Sequence, residues 1–130
     1  MSAFTVDMAN QPGELARLCE VLAAREVNLV VCGLAHGDRG TVAFIADDEN
    51  AARDALQSAE IDYVERDSIT VRLQNVAGAG AAAFRALLDA KVNLEVFLPV
   101  RILDDQFYAV ICADDVDAAA AALRDLVVTG

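Results

Sequence analysis

The sequence predicts an α+β protein made of two tandem βαββαβ units, and three observations carry that reading. The chain is 130 residues long and 56% hydrophobic, so it has apolar surface to bury. Its two halves repeat one another. Each half alternates short stretches of two-residue periodicity with stretches of helical periodicity.

The repeat is the most informative of the three. A shift of 65 residues lays Phe4-Thr5-Val6-Asp7-Met8 over Ile69-Thr70-Val71-Arg72-Leu73, Asn10 over Asn75 and Gly13 over Gly78. The same shift lays Val27-Asn28-Leu29 over Val92-Asn93-Leu94. A two-residue insertion then moves the offset to 67, bringing Ala46-Asp47-Asp48 over Ala113-Asp114-Asp115 and Leu56 over Leu123.

In the first half, Phe4, Val6 and Met8 alternate with polar or small residues and predict a half-buried strand. Asn10-Gln11-Pro12-Gly13-Glu14 reads as a turn and helix start, with Asn10 as cap and Pro12 in the first turn. Leu15, Leu18, Cys19 and Leu22 form one apolar helical stripe. The run from Leu29 to Leu34 reads as a buried strand, and His36-Gly37-Asp38-Arg39-Gly40 as a hairpin turn. A third strand spans Thr41 to Ala46. Asp47-Asp48-Glu49 opens a second helix with a small-residue face of Ala52, Ala55, Leu56 and Ala59. Ile61 to Glu65 is a fourth strand. This order is the ferredoxin-like split βαβ unit.

The second half follows suit. Its first helix has the stripe Ala83, Phe84, Leu87 and Leu88. Leu94 to Leu98 and Phe107 to Cys112 are strands, and Val116 to Leu126 is a helix. Only Val127-Val128-Thr129 remain for a fourth strand, which is short or missing. Pro99 breaks the second strand and confines it to an edge or a bulge. The domains are 1–66 and 67–130, joined around Arg66-Asp67-Ser68. Modules this small are expected to pack side by side as antiparallel sheets, with helices on one face.

The charge excludes several functions. One Lys and nine Arg face 21 acidic residues, for a net charge of −11, which argues against nucleic-acid binding. The first 65 residues carry −8 of this and the remainder −3. No apolar stretch is long enough to cross a bilayer. Met1-Ser2-Ala3 leads straight into a strand with no basic leader, so a cytoplasmic location is expected. Cys19, Cys32 and Cys112 read as three buried thiols of a reducing compartment. Neither they nor the single His36 have metal-ligand spacing. No cofactor is expected. Asp47-Asp48-Glu49 and Asp114-Asp115 read as acidic first turns that answer the helix dipole. No nucleophile–base constellation is visible, so no enzyme activity is expected.

At Asn10-Gln11-Pro12-Gly13-Glu14-Leu15 and Val27-Asn28-Leu29 the sequence resembles the ACT-domain family of small regulatory modules, as two tandem copies. The second copy keeps Asn75 and Gly78 but has Ala77 in place of proline. The resemblance implies amino-acid binding at the interface of paired modules. One site would use Asn10, Gln11, Gly13, Glu14 and Leu15, with Asn93 and Leu94 opposite. A mirror site would use Asn75, Val76 and Gly78, with Asn28 and Leu29 opposite. A helix start offers amide donors to a carboxylate, a glycine lets a ligand approach the backbone, and asparagines donate and accept. The same residues also have structural readings: a capped helix start, and left-handed backbone at Asn28 and Asn93 where a helix ends. The expected function is therefore that of a stand-alone regulatory amino-acid-binding protein, a homodimer through its exposed strand edges, acting on a partner enzyme. Two other readings stay open: a regulatory or structural subunit that binds nothing small, and a small ferredoxin-like enzyme.

Overall fold

The computed structural model describes residues 1–129, which divide into two compact units, Ser2–Arg66 and Asp67–Gly130 with Met1. The first unit runs β1 (Ser2–Ala9), α1 (Glu14–Ala23), β2 (Leu29–His36), β3 (Arg39–Ala46), α2 (Glu49–Ser58) and β4 (Val64–Asp67). Its sheet has the order β2-β3-β1-β4. The second unit runs β5 (Ile69–Gln74), α3 (Ala79–Asp89), β6 (Leu94–Leu103), β7 (Gln106–Ala113) and α4 (Val116–Ala122), with sheet order β5-β7-β6. The βαββαβ order of the first unit is complete.

Two-residue periodicity puts Phe4, Val6, Val42 and Phe44 on one face of the first sheet, because Phe4 pairs with Phe44 and Val6 with Val42. The Phe4 and Phe44 rings stack 5.2 Å apart. Both helices cover this face: Leu18 and Leu22 of α1, and Ala52, Ala55 and Leu56 of α2, complete one core. The small residues of α2 let it lie close to the sheet. In the second unit Val71, Leu73, Ala109 and Ile111 meet Ala83, Leu87, Ala119 and Leu123 in the same way. The second sheet is buried on its other face too, where Val96, Leu98, Val110 and Cys112 are inaccessible.

Several expectations need correction. The stripes of α1 and α3 are only half buried. Leu18, Leu22, Ala83 and Leu87 enter the cores, while Leu15, Phe84 and Leu88 remain exposed. A stripe including both i+3 and i+4 neighbours is wider than the contact with one sheet face. Strand β2 is exposed along nearly its whole length, not buried, because it is the edge of its sheet. Cys32 is consequently exposed and Cys19 half-buried, and only Cys112 is a buried thiol. Helix α4 stops at Ala122, four residues short of Leu126. Beyond it the chain makes an isolated bridge from Val127 to Val71. Arg66 and Asp67 belong to β4 and are not linker.

Pro99 does not break β6. The two-residue insertion is taken up as two register shifts, one between Leu94 and Val96 and one between Pro99 and Arg101. Each shift admits one extra residue into β6, Glu95 and then Val100, between consecutive pairs of the ladder. Proline lacks an N–H and is tolerated there, at a bulge on an edge strand.

One feature of the first unit has no counterpart motif in the second. The Arg53 guanidinium grips Glu65 through Nε and Nη2, both at 2.6 Å, and reaches Glu49 at 3.4 Å. Glu65 also accepts from the Ser2 hydroxyl at 2.7 Å. This fork ties β4 to α2 and β1. Arg53's hydrogen bonds, reinforced by Ser2 and opposed by partial burial, hold the Glu65 carboxyl down at about 2 against an ordinary 4.5. A depressed carboxyl stabilises the fold above its ordinary pKa and loses that contribution as pH falls through the folded value. Glu65→Gln is therefore expected to lower the melting temperature near neutral pH. The gap to the parent should close between about pH 4.5 and about pH 2, as read by circular dichroism melts across that range.

Candidate functional site

The loop between β1 and α1 hangs on the hairpin turn between β2 and β3. Gly37 and Asp38 form that two-residue turn, with Gly37 at φ 63°. Asn10 donates its backbone N–H to the Asp38 carbonyl at 2.9 Å and its Nδ2 to the Gly37 carbonyl at 2.9 Å. Asn10 is therefore not the helix cap. Gly13 takes that position, left-handed at φ 93° and without a side-chain cap bond, and Pro12 lies outside the helix. Glycine is required there because other residues strain at such angles.

Between this loop and β2 lies a cleft of about 310 Å³. Of the predicted residues it gathers Asn10, Gln11, Glu14 and Leu15, and it adds Gly33 and Leu34 from β2 and Val42 from β3. Gly13 shapes the loop but does not line the cleft. A side chain at Gly33 would come within 2.9 Å of Val42, so glycine keeps this floor open. Glu14 is half-buried and is the single ionisable residue of the lining. Leu15 and Leu34 supply exposed apolar walls, Leu34 being 79% exposed.

The second unit repeats the loop. Asn75 donates its N–H to the Asp105 carbonyl at 2.8 Å, and Gly78 holds φ 91°. Replacement of proline by Ala77 has left this geometry intact. Asn75 and Val76 border a cleft of about 250 Å³, whose walls are Phe84, Phe97 and Phe107. Gly78 lies instead at a groove of about 680 Å³ between α3 and the turn after α4. Ala82, Ala83 and Ala86 line that groove where the repeat places Arg17, Leu18 and Val21 in the first unit.

Asn28 and Asn93 are not the left-handed residues at the helix ends. Left-handed backbone falls two residues earlier, on Glu26 and Lys91. Asn28 gives its N–H to Asp47 Oδ1 at 3.0 Å, and its carbonyl accepts from the Asp47 N–H at 3.0 Å. Asn93 and Asp114 make the same reciprocal pair at 3.0 and 3.1 Å. Leu29 and Leu94, next to them, are half-buried against the cores. Asp48 and Asp115 are the true caps of α2 and α4, accepting from Ala51 and Ala118 at 3.0 Å. The acidic runs are thus explained by clamps and caps. Among the described residues no cluster of His, Cys, Asp and Glu could hold a metal ion, and no helix is long and apolar enough to cross a membrane.

The sequence reading missed Gly33, Leu34 and the three phenylalanines. A glycine inside a run of β-branched residues signals a close approach. The exchange of Cys19 for Phe84 across the repeat signals a changed cleft.

No protein-family model matches the sequence, and no curated protein matches it. Solved structures do share the fold. Protein BT0572 from Bacteroides thetaiotaomicron superposes with a TM-score of 0.83 at 23% identity, over 98% of this chain and 90% of that one. The ligand-free regulatory subunit of aspartate kinase from Thermus thermophilus gives 0.69 at 21% identity, over 96% and 91%. The corresponding subunit from Thermus flavus gives 0.69 at 21%, over 95% and 90%. At these identities the likeness is one of fold, and it extends through both units.

The clamp yields a test that separates structure from ligand binding. Asp47→Ala removes an acceptor for the Asn28 N–H and should cost about 1 kcal/mol in urea denaturation. Asn28→Ala keeps both backbone partners and should cost less than about half of that.

Proposed function

We propose that this tandem of ACT-type folds is a regulatory protein that binds a small molecule, an amino acid or close relative, and passes the bound state to a partner. The observation that carries the reading is the cleft at the β1–α1 loop. It combines amide donors and acceptors, one carboxylate and an apolar wall at the end of a helix whose first turn has no side-chain cap. Asn10, Gln11, Glu14 and Leu15 are the contact residues, with Gly13 holding the loop. A paired module completes the site, as the family resemblance implies.

The exposed edge of β2 supports pairing. An unpaired edge carrying Val30, Val31 and Leu34 toward solvent is a template for another strand. The reading is therefore of a homodimer. The Thermus neighbours are regulatory subunits of aspartate kinase, and this supports an enzyme as the partner that senses the ligand. Regulation then works by linkage: the ligand favours one arrangement of modules, and the partner distinguishes it. No residue is assigned a catalytic role.

The test is a thermal melt of the purified protein against each of the twenty amino acids at millimolar concentration. A ligand that binds only the folded state raises the midpoint in proportion to the logarithm of its concentration over Kd. A shift with one or a few amino acids is expected. The absence of any shift would discard this reading for that of a subunit that binds nothing small. Pairing is checked by sedimentation equilibrium, where Leu34→Lys is expected to convert dimer to monomer without lowering helix content.

A further inference from the structure

We infer that the two repeats have diverged so that each chain takes one ligand, in the first unit, where Glu14 selects an ammonium-bearing molecule with an aliphatic body. The inference rests on the small-molecule reading above and narrows it.

The two clefts occupy equivalent places, each between a β1–α1-type loop and the second strand of its unit. Both keep the loop asparagine, Asn10 and Asn75, but they differ in charge and in the walls around it. Glu14 becomes Ala79, so the second cleft has no charged residue in its lining, and its two amides are Gln74 and Asn75 where the first has Asn10 and Gln11. The register of the hairpins places Phe107 where the first unit has Gly40, and Phe97 where it has Val31. Phe97 meets Phe84 edge-on at 5.3 Å and lies parallel to Phe107 at 6.1 Å. These rings satisfy one another in a continuous aromatic wall. An ammonium group entering there would meet no carboxylate in the lining and would shed hydration against the rings.

The first cleft is the reverse. Gly33 and Gly40 keep its floor free of side chains. No lysine, arginine or histidine lines it, and the half of the sequence that builds it carries −8. A molecule whose only charge is a carboxylate meets repulsion from Glu14 and no compensating cation. An ammonium group gains a charge-assisted hydrogen bond to Glu14. Any carboxylate on the same ligand must then turn toward the Gln11 amide. Met8, Leu15, Leu34 and Val42 offer only aliphatic contact to the remainder.

Isothermal titration of the full chain with L-leucine, L-leucinamide and 4-methylpentanoate tests this. The three share one aliphatic body and differ in their charges. L-leucine and L-leucinamide are expected to bind at one per chain, and 4-methylpentanoate to give no binding heat. Glu14→Gln should weaken leucinamide roughly ten- to a hundredfold. Glu20→Gln, which removes a charge elsewhere on α1, should leave affinity unchanged. Two ligands per chain, binding of 4-methylpentanoate, silence of leucinamide, or indifference to Glu14→Gln would each overturn the inference. If leucine binds but its affinity ignores Glu14, the regulatory reading survives without it. If none of the twenty amino acids shifts the melt, both fall.

Discussion

The reciprocal clamp between the Asn28 backbone and Asp47 is the constraint on which the first unit's geometry depends. It ties the end of the α1 loop to the end of β3 through two hydrogen bonds of 3.0 Å. The next residue pair is Leu29 with Ala46, so the clamp sets the register of the hairpin from its open end. That register delivers His36 opposite Arg39 and leaves Gly37 and Asp38 as the turn. The two turn carbonyls then receive Asn10, which fixes the β1–α1 loop and presents Glu14 to the cleft. Position at the site is thus inherited from hydrogen bonds made a full strand length away. The motif residues Asn28 and Asp47 act through this inheritance, Asn28 by its N–H and carbonyl and Asp47 by its carboxylate and N–H.

The second unit starts from the same clamp and arrives somewhere else. Asn93 and Asp114 set the same initial pair, Leu94 with Ala113. Two extra residues then enter β6 one at a time, and each flips the alternation of side chains that follow it. Phe97 ends up half-buried against Phe84 and Phe107, on the side of the sheet that α3 covers. A single two-residue loop insertion at the hairpin tip would have left the register untouched. Distributing the residues along the strand rebuilt the cleft wall while keeping both the clamp and the turn.

Much of this was legible in the sequence because the repeat doubles every signal. The order of elements recurs in both halves, with the Gly13 and Gly78 loops offset by 65 residues and the acidic helix starts by 67. The acidic runs were legible as helix starts, but read as first turns, whereas Asp48 and Asp115 stand one position earlier as caps. Local chemistry was not legible where two uses compete. Asn10 is a good cap residue and an equally good partner for a turn carbonyl. Gly13, which tolerates φ 93°, took the cap position and released Asn10 for the hairpin. The left-handed residues after α1, α2 and α3 are Glu26, Glu60 and Lys91, types with no special tolerance for that region. No composition rule would find them. The Arg53–Glu65 fork joins residues from a helix and a strand with no motif between them.

The exposure of β2 has a different cause, and it bears on what the chain is for. A run such as Leu29 to Leu34 is apolar on both faces, which is the pattern of a strand covered on both sides. Periodicity records the apolar pattern of such a strand and says nothing of whether or by what it is covered. In the isolated unit the strand is the sheet edge, and Val30, Val31 and Leu34 face solvent. Edges left in solvent are usually blunted by charge, proline or a bulge. The second unit's edge carries Pro99 and two register shifts, whereas β2 pairs with β3 without interruption and has neither proline nor charge before His36. The first unit has kept its edge available while the second has spoiled its own. The open edge and the polar cleft lie on the same strand, with Gly33 and Leu34 belonging to both. A strand that paired there would bury Leu34 and close over the cleft in one step, so ligand and partner would share a single free energy.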